Sequence, residues 1–384
     1  MNIHLMPDDK FLDDFIENIE AVDKPDNNIY LAYRSILPNK LKYIKSNKVI
    51  LAPYKTQKFY DIIGNIKKYD KIFIHYLSGE MCEFINSLPD ELPLYWIFWG
   101  GDFYSPKNYF SDFLYDKYSK KYINNKGKKK YIPNIILKQL VSFKNKQKLE
   151  IKRKAINKIS YILHFNKYDY DLIKSTFKTK AKFLPFFYGF SEKMPELKSD
   201  CSELKEKFNL NADKIILLGN SGDPTNNHLD IFYKIKYKEL NFNYKLLCPL
   251  SYGSPEYTEY IIQKAGKLFG NKFIPLTEFL PKEEYYNLIG CTDITIMNHN
   301  RTQAAGNILM SLFFGKKVFL KKENTLYKLY KDNGVTIFNI EDDLNNDDVF
   351  KELNIEEKEK NHQIIERIFS TEKVRENIKN ILEN

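Results

Sequence analysis

Residues 214–228 read KIILLGNSGDPTNNH, and this stretch decides the fold of the chain. Ile215–Leu218 is a continuous apolar run that stops at a Gly-Asn-Ser-Gly turn, and a helical pattern opens near 225–227. A buried strand that runs into a glycine turn and then a helix is typical of an α/β unit. Gly219 and Gly222 lack a Cβ, so the backbone can turn sharply there and a ligand can come close.

Two interpretations of this turn stay open. The free N–H groups at a helix start favour an anion such as a diphosphate, and Asn220, Ser221 and Thr225 add short hydrogen-bonding side chains. The same residues are equally compatible with an ordinary tight turn. The spacing matches neither G-x-G-x-x-G nor G-x-x-x-x-G-K-[ST], so it predicts no standard dinucleotide or P-loop site.

Length and composition indicate a globular protein of two domains. The chain has 384 residues, of which 43% are hydrophobic and 15% aromatic, and this excludes a disordered chain. Its net charge is +10 and its pI is near 9.0. We expect an anionic membrane surface or a phosphorylated substrate rather than nucleic acid, because no base-reading element appears and the charge is spread over a Lys- and Asn-rich chain.

The four cysteines, Cys82, Cys201, Cys248 and Cys291, lie far apart and form no C-x-x-C pair. This spacing argues against a zinc ribbon, a redox motif and a disulfide scaffold, and it favours a reducing cytosol. The N-terminus does not have the pattern of a signal peptide, and no apolar run reaches the ~20 residues that span a bilayer. We therefore expect a protein that is soluble or lies on a membrane.

Strands alternate with helices along the chain, which predicts βαβ units and mostly parallel sheets. The pattern predicts a first domain over 1–195, a second over 205–345 and a helical tail over 346–384, with a linker within 186–210. Ligands of such sheets bind beyond the carboxyl ends of the strands. His75 and the Gly-Gly-Asp run that ends at Asp102 follow predicted strands, so we expect both in a ligand cleft.

A basic insert in the first domain runs from Tyr115 to Tyr131 and is followed by the predicted helix Ile135–Ala155. Its lysines surround three tyrosines; they are Lys117, Lys120, Lys121, Lys126, Lys128, Lys129 and Lys130. This pattern is typical either of a solvated face held down by aromatic residues or of a surface that binds anionic lipid.

The run Asp169-Tyr170-Asp171 resembles a D-x-D metal motif. It lies where a helix should begin, and aspartates there cap exposed N–H groups and suit the helix dipole. The sequence therefore predicts a helix cap at this place and no metal site.

Four blocks carry a resemblance to a known family. They are FWGGDFY at 98–104, LGNSGDPTNNH at 218–228, PLSYG at 249–253, and GNIL at 306–309 continuing to KKVFLKKEN at 316–324. In this order they resemble the TDP-N-acetylfucosamine:lipid II N-acetylfucosaminyltransferases of enterobacterial common antigen synthesis, over roughly residues 70–330. The family implies an α/β protein of the GT-B class, in which two Rossmann-like domains face a cleft.

The resemblance also implies an activity and its partners. The donor would be a dTDP-sugar of the N-acetylfucosamine type, the acceptor an undecaprenyl-diphosphate-linked saccharide, and the transfer inverting, without a metal or other cofactor. The protein would lie peripherally on the cytoplasmic face of the inner membrane, bound to anionic lipid. Two alternatives remain: a GT-B transferase of another nucleotide sugar, and a non-catalytic protein that binds sugar nucleotides or polysaccharide.

Glycosyl transfer needs a base for the acceptor hydroxyl and positive charge or dipoles for the leaving diphosphate. Asp102 is interpreted as the base or as a turn cap, and His75 as a second catalytic group or a core histidine. Arg301 lies in a strand-end loop where it can meet a diphosphate. The predicted donor-binding residues are Gly219, Asn220, Ser221, Gly222, Asp223, His228, Tyr252, Gly253, Ser254, Arg301, Glu323 and Asn324. The alternatives are helix caps for Glu323 and Asn324 and core packing for His228.

Overall fold

The structure is a computed structural model of the 384-residue chain. It describes residues 1–37, 39–104, 113–129, 135–189, 194, 200–238, 240–344 and 350–384; within these ranges, the side chains of 127–129 and 135–144 are not described. The chain divides into two compact units. Unit 1 comprises Met1–Tyr109, Asn134–Met194 and Phe369–Asn384, and unit 2 comprises Phe110–Pro133 and Pro195–Ile368.

Unit 1 contains a parallel sheet with the strand order β3-β2-β1-β4-β5-β6-β7. Its strands are β1 (Asn2–Pro7), β2 (Asn28–Arg34), β3 (Val49–Leu51), β4 (Lys71–His75), β5 (Leu94–Ile97), β6 (Tyr161–His164) and β7 (Lys182–Pro185). The chain order reverses between β1 and β4, which is the topological switch point of a doubly wound sheet.

Unit 2 contains a second parallel sheet with the order β10-β9-β8-β11-β12-β13. Its strands are β8 (Lys214–Leu218), β9 (Tyr244–Pro249), β10 (Phe273–Leu276), β11 (Ile294–Met297), β12 (Lys317–Leu320) and β13 (Phe338–Asn339). Here the switch point lies between β8 and β11. The predicted strand Ile215–Leu218 is confirmed, and it is fully buried because helices cover both faces of such a sheet.

The helices connect the strands, as the alternation of patterns predicts. In the described ranges they are α1 (Leu12–Glu20), α2 (Gln57–Ile63), α3 (Gly79–Ser87), α4 (Lys117–Lys129), α5 (Ile135–Lys158), α6 (Lys167–Phe177), α7 (Ser202–Lys207), α8 (His228–Lys238), α9 (Pro255–Phe269), α10 (Lys282–Gly290), α11 (Ala305–Phe313), α12 (Thr325–Asp332), α13 (Ile355–Phe369) and α14 (Thr371–Glu383). No helix in the described ranges is long and apolar enough to cross a membrane.

The division into units differs from the predicted domains in two places. The insert that holds α4 was expected in the first domain, but it belongs to unit 2. The tail was expected to stand apart, but its last helix, α14, belongs to unit 1, where Val374, Ile378 and Ile381 pack into the same core as Phe15 and Ile19 of α1. Both differences arise because apolar side chains pack with partners that are distant in the sequence.

Two expectations about local chemistry are wrong. Cys201 and Cys291 form a disulfide, although their separation of 90 residues gave no pairing signal. Asp169 does not cap α6, because the side chain of Asn166 accepts the hydrogen bond from the N–H of Tyr168 at 3.1 Å. Asp169 is instead buried and bonded to the Nε2 of His164 at 2.9 Å.

Candidate active site

The turn after β8 requires glycine at its first position. Gly219 has a φ of +69°, and a Cβ there would lie 2.6 Å from the Nε2 of His228 and 2.8 Å from the Oδ1 of Asn226. A positive φ is costly for any residue with a side chain, and both contacts are too short for real atoms. The side chains of the following helix start therefore occupy the space that glycine leaves.

Gly222 and Gly253 bring two strand-end loops into contact. The Gly222 N–H donates to the Tyr252 carbonyl at 2.7 Å, and the Ser254 N–H donates to the Gly222 carbonyl at 2.8 Å. A Cβ on Gly222 would lie 2.0 Å from the Oγ1 of Thr258, and one on Gly253 would lie 2.5 Å from the Gly222 carbonyl carbon. We expected Gly222 to let a ligand approach, but this glycine serves the packing of the loops after β8 and β9.

Asn226 holds the polar end of the sheet together, and its role was missed in the sequence. Its Oδ1 accepts from the Asn220 N–H at 2.8 Å and from the Nε2 of His299 at 2.9 Å. Its Nδ2 donates to the Oγ of Ser221 at 3.1 Å and to the Asp223 carbonyl at 3.0 Å. The buried amide thus fixes the turn after β8 and ties it to the loop after β11 across the switch point.

Several predicted donor-site side chains form hydrogen bonds with the turn after β8 or with one another. Asn220 donates through Nδ2 to the hydroxyl of Tyr252 at 2.7 Å and accepts from the Nε2 of Gln303 at 3.1 Å. Asp223 accepts from the N–H and the hydroxyl of Thr225 at 2.9 and 2.6 Å. The side chain of Tyr252 is half exposed, and Asn220 is partly exposed, so both present polar atoms to solvent at this edge.

The two histidines of the switch point are fully buried. His228 contacts Tyr257 and Phe232, and burial lowers the pKa of its imidazole to about 3. Burial is the main cause that keeps the pKa of His299 well below its usual value, and the nearby charge of Arg301 and the imidazole of His228 lower it further. Within the described residues, the Nε2 of His228 and the Nδ1 of His299 have no hydrogen-bond partner. His228 therefore fits the core-packing alternative better than a direct anion partner.

The remaining predicted residues follow β11 and β12. Arg301 is partly exposed and donates through Nη1 to the Thr302 carbonyl at 2.9 Å. Asn324 is buried, caps α12 by accepting from the Leu326 N–H at 3.0 Å, and donates to the Arg301 carbonyl at 2.9 Å. Glu323 is exposed. Asn324 is thus a helix cap, as the sequence allowed, and it also holds the backbone of Arg301.

In unit 1, Asp102 ties together the ends of β4 and β5. Its carboxylate accepts from the Leu77 N–H at 3.1 Å, from the indole N–H of Trp96 at 2.8 Å and from the Trp99 N–H at 3.2 Å. The residue is 3% exposed, and burial raises the pKa of its carboxyl although Lys152 and these donors act in the opposite direction. The carboxylate is thus a structural acceptor for groups that precede it rather than a cap of a following helix, and this environment leaves little room for an acceptor hydroxyl.

His75 belongs to a directed chain of buried hydrogen bonds. The indole of Trp99 can only donate, and it does so to the hydroxyl of Tyr188 at 2.7 Å, so that hydroxyl donates to the Nδ1 of His75 at 2.8 Å. The Nε2 of His75 then donates to the Nδ1 of His4 at 3.2 Å, and His4 donates to Asn28 at 3.2 Å. Both imidazoles are neutral in this chain, and His75 is the core histidine that the sequence left as an alternative.

The predicted site residues therefore form two groups. Asp102 and His75 lie at the strand ends of unit 1, and the predicted donor residues lie at the strand ends of unit 2. Sequence reasoning missed Asn226, Asn298, His299, Asn300 and Gln303. These residues belong to the short polar runs that follow β8 and β11, and those runs are the sequence feature that could have identified them. Within the described residues, no three His, Cys, Asp or Glu side chains are grouped so that they could hold a metal ion.

Solved structures share this architecture. Sucrose-phosphate synthase from Thermosynechococcus elongatus matches with a TM-score of 0.66 at 9% identity, over 100% of this chain and 98% of that chain. Anabaena HepE in complex with UDP and glucose matches with a TM-score of 0.64 at 12% identity, over 100% and 99%. WaaG, a glycosyltransferase involved in lipopolysaccharide biosynthesis, matches with a TM-score of 0.53 at 11% identity, over 100% and 95%.

Two parallel α/β units with these neighbours define the GT-B class of glycosyltransferase fold, which confirms the predicted fold class. A family model described as 4-alpha-L-fucosyltransferase, glycosyl transferase group 56, matches residues 137–370. The chain belongs to this glycosyltransferase family.

Proposed function

We propose that the chain transfers a deoxy-amino sugar of the N-acetylfucosamine type from a dTDP-sugar to an undecaprenyl-diphosphate-linked saccharide during surface glycan synthesis. The family gives sugar transfer, and the sequence blocks at 98–104, 218–228, 249–253 and 306–324 are the basis for this donor and acceptor. The proposed reaction is inverting and metal-independent.

The observation that carries the donor site is the switch point of unit 2. Asn226 ties the turn after β8 to the loop after β11, and Asn220, Tyr252 and Arg301 keep polar atoms partly exposed above it. Ligands of doubly wound sheets bind at this place. HepE, which shares the fold, is described in complex with UDP and glucose, and this supports a nucleoside-diphosphate ligand for the proposed donor site.

Leaving-group stabilisation is assigned to Arg301, because the N–H groups of Asn220, Gly222 and Thr225 already donate hydrogen bonds within the turn and its neighbouring loop. A guanidinium stays charged at all working pH values and can bind two phosphate oxygens at once. The acceptor hydroxyl is assigned to unit 1, near the loop 98–104. There we propose that Asp102 acts as a positioning residue, because its carboxylate holds the N–H groups of Leu77 and Trp99.

Nucleotide binding and turnover test this proposal separately. Thermal stabilisation by dTDP, UDP and GDP, followed by their sugar conjugates, ranks the donors, and dTDP and its N-acetylfucosamine-type conjugate should rank first. A matched lipid-linked acceptor analogue should then give a glycosylated product by mass spectrometry. A first rank for UDP would assign another nucleotide sugar, and binding without any product would favour the non-catalytic alternative.

The proposed membrane position rests on the basic insert. The exposed side chains of α4 include Lys117, Lys121 and Lys126, while Tyr118 and Tyr122 pack into the core of unit 2. We therefore propose binding to anionic lipid through charge alone, without insertion of these rings. The side chains of Lys128 and Lys129, and the whole of Lys130 and Tyr131, lie outside the described part of the chain.

Vesicle co-sedimentation tests the membrane proposal. Neutralising Lys126, Lys128, Lys129 and Lys130 together should release the protein from anionic vesicles, and high salt should do the same to the parent. Use of a soluble acceptor analogue should not change. Equal pelleting of parent and variant, or no pelleting of either, would make the insert an ordinary solvated surface.

A further inference from the structure

We infer that Tyr115 is a donor-site residue whose hydroxyl donates a hydrogen bond to the diphosphate beside Arg301. This inference rests on the proposed function, because it adds a residue to the donor site of unit 2. It also gives a different role to the start of the basic insert, which the sequence left open between a solvated face and a surface that binds anionic lipid.

The residues before Tyr115 are fixed to the strand-end loops of unit 2. Asn300, in the loop after β11, donates through Nδ2 to the Phe113 carbonyl at 2.7 Å. Asn227, in the turn after β8, donates through Nδ2 to the Leu114 carbonyl at 3.1 Å, and Leu114 is completely buried. These two bonds attach the segment on both sides of the switch point.

Asp116, the residue after Tyr115, is attached even more firmly. Its N–H donates to the Oδ1 of Asn227 at 3.0 Å. Its carboxylate accepts from the Nδ2 of Asn298 at 3.0 Å and of Asn300 at 3.1 Å, and it pairs with the Nζ of Lys321 at 2.7 Å. Loops after β8, β11 and β12 thus all converge on Asp116, the first through its N–H and the other two through its carboxylate, and the ion pair is mostly buried.

The helix that follows continues this attachment. Asp230 of α8 accepts from the N–H groups of Tyr118 and Ser119 at 2.8 and 3.1 Å, so it satisfies the free N–H groups at the start of α4. The ring of Tyr118 lies 4.3 Å from that of Tyr233, measured between centroids. Tyr115 is therefore presented by a rigid segment, and little conformational entropy is lost when its hydroxyl binds a ligand.

Tyr115 itself lies within electrostatic reach of two loops of the site. Burial raises the pKa of its phenol to about 12; Asp223 also raises it, and Arg301 lowers it. The phenol is therefore protonated at neutral pH and able to donate. The residue is only partly buried, and its hydroxyl has no hydrogen-bond partner among the described residues. A positioned donor near a guanidinium matches the oxygens of a diphosphate.

Titration calorimetry with dTDP tests the inference on the full chain. Tyr115→Phe removes only the hydroxyl and should weaken binding about tenfold, as expected for a hydrogen bond to a charged group. Its melting temperature without ligand should equal that of the parent, because the hydroxyl has no partner to lose among the residues that the structure describes. Tyr237→Phe is the matched control, since Tyr237 is 75% exposed in the same unit, and it should bind as the parent does.

A second variant tests whether the anchored segment presents the hydroxyl. Asp116→Asn weakens the attachment and should also reduce dTDP affinity, and adding Tyr115→Phe to it should have less than the full tenfold effect. Parental affinity in Tyr115→Phe would overturn the inference and leave the proposed function standing. If the parent binds neither dTDP nor UDP nor GDP, the donor site itself is wrong and both proposals fail.

Discussion

The two switch points of this glycosyltransferase have the same topology and opposite chemistry. In unit 1, this place is filled by a chain of hydrogen bonds that runs in one direction from Trp99, after β5, through Tyr188, after β7, and His75, at the end of β4, to His4 inside β1. In unit 2, the ends of β8 and β11 carry amides, an arginine and partly exposed hydroxyl groups. The sheet topology therefore gives both units a place where a ligand could bind. The side chains determine whether the protein itself fills that place.

The largest expected effect concerns Asp102, which joins the ends of β4 and β5 in the unit with the filled switch point. Asp102→Ala leaves three buried N–H donors without an acceptor, so we expect a loss of about 3–5 kcal/mol in the free energy of unfolding. Urea unfolding measures it, with Asp90→Ala as the control, because Asp90 is 82% exposed. Asp102→Asn with parental stability and a 10²–10⁴-fold loss of turnover would instead support a catalytic base.

The disulfide joins two cysteines of unit 2, so it should stabilise only that unit, whose switch point carries the partly exposed polar groups. Cys201→Ser or Cys291→Ser opens a link that spans 90 residues, and we expect a loss of about 2–4 kcal/mol. Thiol titration in denaturant should find two thiols in the parent, from Cys82 and Cys248, and four after reduction. Four thiols without reductant would show that the two cysteines are not joined in the isolated protein.

Acid should weaken the filled switch point through its neutral histidines. Burial lowers the pKa of His4 to about 4, so the folded state binds fewer protons than the unfolded chain below pH 6.5. Stability is complete above pH 6.5 and falls as the pH approaches 4, with a loss of about 2 kcal/mol from His4 by pH 5.

Variants assign this acid sensitivity to the two units. His4→Phe should reduce the slope of stability against pH, and His228→Phe should do the same for unit 2, where burial lowers the pKa of the imidazole to about 3. His362→Gln, which removes a half-buried imidazole of α13, serves as the control. An unchanged slope in His4→Phe would show that this imidazole is not the group that titrates.

The smallest expected effect separates a glycine of the open switch point from an ordinary one. In Gly219→Ala, the new Cβ must be accommodated at a positive φ and would lie 2.6–2.8 Å from neighbouring atoms. We therefore expect a loss of about 1–3 kcal/mol in the free energy of unfolding, together with weaker donor binding. Gly266→Ala in α9 meets nothing within 4 Å and should gain about 0.5–1 kcal/mol. Equal stability of the two variants would contradict the packing around Gly219.

Strand and helix periods were sufficient to find most of the elements. The predicted strand Ile215–Leu218 lies within β8, and the predicted helix Ile135–Ala155 lies within α5, because buried parallel strands and long helices have strong local patterns. The rule that ligands bind beyond the carboxyl ends of the strands also selected the loops after β4 and β8. It did not distinguish His75 from Arg301, because one is buried in the core and the other partly exposed, and burial depends on residues that are remote in the sequence.

Local patterns and residue order were sufficient to establish the two α/β units, the glycine turn after β8 and the family resemblance. Only the tertiary structure assigned the insert 113–126 to unit 2, joined Cys201 to Cys291 and placed Tyr115 near Arg301 and Asp223. Each of these depends on contacts across 90 to about 200 residues. No local period encodes such contacts, because they form only when separate segments bury their apolar and polar groups against one another.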